Sequence, residues 1–173
     1  HQVYELWFKQ ILHEVAAAQK SLEAGDTHRS LSLLGRIRTI MKTCVSQLDI
    51  LETMTPLQFN TFRGRLQSSS GFQSAQYRMM EFMLGGRDGK HVRLHKSNAD
   101  WAERLEAEQG RASLYDAAIR LLARRGFAID AAALERDPAA PYAPNASVEA
   151  AWASIYCDPQ PHWDLYELAE KLV

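Results

Sequence analysis

Leu51–Gly86 reads LETMTPLQFNTFRGRLQSSSGFQSAQYRMMEFMLGG. It predicts two short helices joined by a small polar loop. Thr55-Pro56-Leu57-Gln58 has the form of a capping box, in which the Thr55 hydroxyl accepts from the Gln58 amide and Gln58 reaches back to the Thr55 N–H. Pro56 falls at the first helical position, where its missing N–H costs nothing. The first helix is expected to run from there to about Leu66, and the second from Phe72 to Leu84, with Gly85-Gly86 at its C-terminus.

On the first of these helices Phe59, Phe62, Arg63 and Leu66 recur three and four residues apart and share one broad face. Arg63 is the exception on that face. One reading is a structural ion pair, with Glu52 as the candidate partner. The other is an anion clamp, because a guanidinium beside a phenyl ring suits a ligand with a carboxylate at one end and a flat apolar group at the other. The loop Ser68-Ser69-Ser70-Gly71-Phe72-Gln73 also reads two ways. Ser70 and Gln73 form a second capping box, and small residues with free N–H groups let a flat ligand approach the backbone closely.

Outward from this stretch the pattern is helical throughout. Val3, Leu6, Trp7, Ile11, Leu12 and Val15 have helical spacing in a segment from His1 to about Ala24. Gly25 ends it, and Asp26 or Thr27 can cap the next helix, from about Arg29 to Leu51. There Leu34, Ile37, Met41, Cys44, Leu48 and Leu51 alternate three and four apart, as in the seam of two long antiparallel helices. Arg36, Arg38 and Lys42 read as a solvated basic face. Gly85 to Asn98, with three glycines, reads as a loop. Its His91 and His95, flanked by Asp88 and Asp100, have metal-ligand spacing in a poor helix former. Further helices are expected at Ala99–Glu108, Leu114–Arg125, Val148–Tyr156 and Trp163–Val173, with an Ala/Pro-rich loop at Asp137–Asn145. No segment alternates like a strand. The fold class is therefore all-α, a helical bundle with two long antiparallel helices and several shorter ones.

With 173 residues the chain is one domain or part of one, and 46% hydrophobic residues suffice for a core. A net charge of −1 points to neither nucleic acid nor an anionic membrane surface. No apolar run approaches the roughly 18 residues of a membrane span. Cys44 and Cys157 lack CxxC spacing and read as reduced thiols of a cytosolic protein. No phosphate-binding glycine motif, nucleophile elbow or catalytic carboxylate pair is found. The sequence starts at a histidine and stops in mid-pattern, so both ends read as cut.

LETMTPLQFNTFR followed by SSSGFQSAQYRMMEFMLG resembles the central signature of the tryptophan 2,3-dioxygenase family, and HQVYELWFKQILHEV resembles that family's first core helix. The resemblance is close from His1 to Gly86, loose to about Tyr142, and resumes in WDLYELAEKLV. It implies a single all-helical haem-dioxygenase domain, here incomplete. It also implies haem b with ferrous iron as cofactor, dioxygen as co-substrate, and opening of the indole 2,3 bond of L-tryptophan to N-formylkynurenine in the cytoplasm. The usual assembly is a homotetramer.

Residue by residue, the resemblance matches His1 to the distal histidine beside the indole N–H, a substrate contact and catalytic position though not an obligatory base. Arg63 matches the arginine that binds the substrate carboxylate. Phe59 matches an aromatic pocket position where some members have tyrosine. Gly71 matches a substrate contact, and Leu48, Leu66, Ser70 and Gly71 match positions near the haem or substrate. Tyr77 and Arg78 match a supporting shell. The axial haem histidine is expected beyond Val173, so no metal ligand is assigned in this chain; His162 does not sit in the axial motif. Residues 1–173 alone are therefore expected not to turn over tryptophan. Two other readings stand beside this one: a related haem enzyme acting on another indole, and a non-catalytic helical assembly module.

Overall fold

The structure, a computed structural model, describes residues 1–66, 73–95 and 98–172. Among them there is no strand, and the all-α expectation holds. Helix α1 (Gln2–Glu23) and helix α2 (Thr27–Glu52) form the long hairpin. Its turn rests on Gly25, whose φ of +80° lies in the left-handed region. Asp26 caps α2 by accepting from the Arg29 amide at 3.0 Å. Ile11, Val15, Ala18 and Leu22 of α1 and Leu34, Ile37 and Ile40 of α2 belong to one buried cluster. Ser30, wholly buried on α2, donates to the carbonyl of Ala18 at 3.3 Å, so the helices approach closely there.

The seam predicted along all of α2 stops near Cys44. Met41, Leu48 and Leu51 are exposed, Leu48 by 48%. The Tyr4 hydroxyl donates to the Cys44 carbonyl at 3.1 Å, which places the first turn of α1 beside Cys44. The basic face is likewise not wholly solvated: Arg36 donates to Glu14 at 2.8 Å, a carboxylate 3% exposed on the inner side of α1.

Helix α3 (Pro56–Arg63) continues into a 3-10 turn, Gly64–Leu66, and buries none of its residues. Helix α4 (Ala75–Leu84) begins three residues later than the sequence pattern implies, because Ser74 is its cap and accepts from the Tyr77 amide. The expected box at Ser70 lies outside the described residues. Gly85 closes α4 at φ +119°. A 3-10 helix, Gly89–His95, occupies what reads as a loop. Helix α5 (Ala99–Gln109) packs Leu105 with Ala75, Met79, Phe82 and Val92 in a second small core. Helix α6 (Leu114–Arg124) buries Leu114, Ala117, Ala118, Leu121 and Leu122 in the main cluster. A short helix α7 (Ala131–Leu134), not anticipated, precedes the Ala/Pro loop. Helix α8 (Ala146–Cys157) and helix α9 (Trp163–Leu172) complete the bundle, α9 adding Leu165 and Leu168 to the main cluster.

Candidate functional site

Helix α3 is held by its own termini. The Gln58 amide donates to Thr55 Oγ1 at 3.3 Å, and Gln58 Oε1 accepts from the Thr55 N–H at 2.9 Å, so the predicted capping box is formed. Phe59 and Phe62 meet edge-on with centroids 5.3 Å apart. The Arg63 guanidinium lies 5.7 Å from the Phe59 centroid. Among the described residues Arg63 makes no ion pair, so the expected structural pair with Glu52 does not form. The helix therefore presents an exposed cation next to a half-buried aromatic ring, the two parts needed to grip a carboxylate that carries a flat group.

His1 sits at the N-cap of α1, exposed, with no capping hydrogen bond from its side chain. Its carbonyl accepts from the Glu5 amide at 3.0 Å. The turn that carries it is tied on two sides. Tyr4 reaches α2 through the Cys44 carbonyl, and Gln76 at the start of α4 donates to the Glu5 carbonyl at 3.0 Å and to the Glu5 carboxylate at 2.7 Å. Phe8 and Tyr77 pack with centroids 5.4 Å apart just below. Leu48, one turn beyond Cys44, is on the exposed apolar end of α2 with Val45, Ile50 and Leu51. Leu66 is half-buried at the end of the 3-10 turn. Ser70 and Gly71 lie outside the described residues.

The structure thus brings the ends of α1, α2 and α4 together around the turn of His1. Among the described residues, no hydrogen bond, ion pair or ring contact joins α3 to α1 or α2. Arg78, predicted as supporting shell, is buried; it pairs with Glu81 at 2.6 Å and lies 4.8 Å from the Tyr77 centroid. Its Nε has no hydrogen-bond partner.

No group of three His, Cys, Asp or Glu side chains suited to a metal ion exists among the described residues. His95 is buried with Nε2 unpartnered, and the His91 side chain is not among those described. His162 packs against Phe127 with tilted rings, centroids 5.0 Å apart. No described helix is long and apolar enough to cross a membrane.

Sequence reading missed a buried polar node. Asp116 Oδ2 accepts from the Ser113 amide at 2.7 Å and its hydroxyl at 2.9 Å; Oδ1 accepts from Arg136 Nε at 2.9 Å; and Arg87 stands 3.7 Å away. Burial alone would raise the Asp116 pKa, but the hydrogen bonds outweigh it and hold the carboxyl below its ordinary range. Burial, reinforced by Asp116, pushes the Tyr142 phenol up to about 12. The S-x-x-D capping box at Ser113–Asp116 was the available signal; its partners Arg87 and Arg136 are remote in sequence. A cleft of about 570 Å³ beside this node is lined by Tyr115, Ile119, Arg136, Pro141, Tyr142 and Val148, among others. Arg136 spends its donors on Asp116 and on the carbonyls of Asp137 and Ala140, which leaves the cleft without a free cation among the described residues.

The chain matches the family model described as tryptophan 2,3-dioxygenase over residues 1–112. It is 50% identical to the tryptophan 2,3-dioxygenase of Erythrobacter litoralis and 46% identical to those of Cupriavidus necator and Bradyrhizobium sp. strain ORS 278, in each case over the whole chain. The likeness therefore runs through the stretch after Gly86 that reads as only loosely similar. The chain spans 66%, 59% and 62% of the length of these three relatives, under two thirds of each.

Proposed function

The chain belongs to the tryptophan 2,3-dioxygenase family, and we propose on that ground that the protein carrying it is a haem-dependent dioxygenase. It cleaves the indole 2,3 bond of L-tryptophan to N-formylkynurenine, the first step of tryptophan catabolism by the kynurenine pathway, in the cytoplasm and as a homotetramer. The observation that supports the substrate is Arg63: an exposed guanidinium with no ion partner among the described residues, held beside Phe59.

In this reading Arg63 receives the substrate carboxylate through paired N–H donors. Phe59 offers its face to the flat indole. His1, as a neutral imidazole, accepts the indole N–H and sets the height of the ring. Leu48 and Leu66 form apolar wall, and Ser70 and Gly71 match family positions near the haem or substrate.

The fit to haem is partial. The exposed apolar end of α2 suits the face of a macrocycle, and none of the residues assigned here serves as its axial ligand. Ferrous haem, when bound, supplies the dioxygen chemistry. The residues of this chain contribute placement and exclusion of water.

The test is calorimetric titration of the complete protein with L-tryptophan. A charge-assisted contact is worth roughly 1.5–3 kcal/mol, so Arg63→Ala should weaken binding about tenfold or more. Unchanged affinity would overturn the assignment.

A further inference from the structure

We propose that Gln76 and Glu5 are positioning residues for His1; the inference rests on the role given to His1 above. His1 lies one helical turn before Glu5 on α1, and its own side chain makes no capping contact. What the turn does have is Glu5. The Glu5 amide donates to the His1 carbonyl at 3.0 Å, while the Glu5 carbonyl and carboxylate both accept from Gln76 Nε2, at 3.0 and 2.7 Å. A primary amide carries two hydrogens on one nitrogen, so one side chain satisfies both acceptors at once. A glutamate at position 76 would set acceptors against acceptors.

The other end of the tie is firm. Gln76 lies in the first turn of α4, whose Arg78, Met79, Met80 and Phe82 are buried. Tyr4 and Phe8 hold α1 sideways through Cys44 and Tyr77. Gln76 adds a polar link that registers α1 along its axis against α4. Displacement of a reacting or binding group by about 1 Å can cost about a hundredfold in rate. A link one helical turn from His1 therefore governs how well it meets the indole N–H. Glu5 and Gln76 also line an open cleft of about 530 Å³ with Ser74, His95, Asn98 and Trp101. The tie is thus half-exposed, and its loss reads out in register more than in folding.

The test uses the complete protein and three ligands: L-tryptophan, its benzothiophene analogue, which lacks the indole N–H, and tryptamine, which lacks the carboxylate. Dissociation constants are measured by calorimetry. One neutral hydrogen bond makes the wild type prefer tryptophan over the benzothiophene analogue by roughly threefold to tenfold. Gln76→Met keeps the volume and removes both hydrogens. It should bring that preference to within about twofold of parity, while the discrimination against tryptamine, which reads Arg63, stays as in wild type. Glu5→Gln retains both acceptors and should keep the preference. If Gln76→Met keeps the preference, or loses both discriminations together, the positioning role is overturned. Should Gln76→Met not fold, Glu5→Ala removes the shorter of the two bonds and must lower the same preference; if it does not, the proposal fails. His1→Ala separates the premise from the inference: if that variant keeps the preference, the role of His1 fails, whatever Gln76 does.

Discussion

Arg136 donates from Nε to Asp116 Oδ1 at 2.9 Å, twenty residues back along the chain, and lays its guanidinium 3.8 Å from the centroid of Tyr142. That contact fastens the Ala/Pro loop to the first turn of α6. Arg87, buried on the other side of Asp116, donates to the Phe82 and Arg111 carbonyls and so brings in the end of α4. Asp116 sets its carboxylate against two guanidiniums at the node. Removing one member of a buried ion cluster strands the others, at a cost of about 3–5 kcal/mol. Asp116→Ala should lose that much in urea denaturation followed by circular dichroism. A loss under about 1 kcal/mol, the size of an ordinary surface effect, would show that the node does not hold the fold.

His95 gives the fold a pH dependence on the mildly acidic side. Burial, with Arg78 nearby, holds its pKa below the ordinary value of about 6.5. Arg78 pairs with Glu81, and His95 Nε2 has no hydrogen-bond partner among the described residues. The folded state therefore binds fewer protons than the unfolded state between the lowered value and about 6.5. Stability is full above that window and is lost as pH falls through it. Urea midpoints measured at steps from about pH 7 to pH 5 should decline in the wild type and flatten in His95→Gln, which takes up no proton. Equal slopes in the two proteins would refute the assignment.

What could be read in advance follows from the range of each signal. Asp26, Thr55, Gly85 and the apolar spacing of α6 act within a few residues, and the helix ends they set appear where the pattern puts them. The pairing of Arg63 with Phe59 is legible for the same reason: four residues apart on one helix, they must be neighbours. Periodicity, however, says which residues share a face and not whether a partner covers it, so the seam it predicts on α2 runs past Cys44 onto residues that are exposed. Contacts between remote residues leave no local trace. Arg36 with Glu14, Gln76 with Glu5 and Arg87 with Asp116 become visible only once the helices are placed.

Thr55 tests whether α3 is an independent element. Losing an N-cap hydroxyl costs about 1 kcal/mol, and in a docked helix that cost passes to the whole fold. Helix α3 buries no residue, so its cost should stay local. Thr55→Ala should speed amide exchange in Leu57–Phe62 and leave the urea midpoint of the main core unmoved. A shift of the global midpoint would mean that α3 is coupled to the bundle.

The end of α2 makes a prediction about what covers it. Val45 is 65% and Ile50 68% exposed, and five residues of helix turn them roughly 140° apart. Together with Leu48 and Leu51 they make the final turns of α2 apolar on more than one side, a pattern found where a helix is covered from several directions. Within the described residues these turns bury little, so charges placed there should cost the fold of this chain no more than the roughly 0.5 kcal/mol typical of a surface site. In the complete protein the same charges meet whatever encloses the helix. Val45→Lys and Ile50→Lys should therefore leave helical circular dichroism intact and shift sedimentation velocity toward smaller assemblies. The effect should be greater in the double variant, because the two residues face different directions. If the double variant assembles like the wild type, the surface that encloses this helix end is not one between subunits.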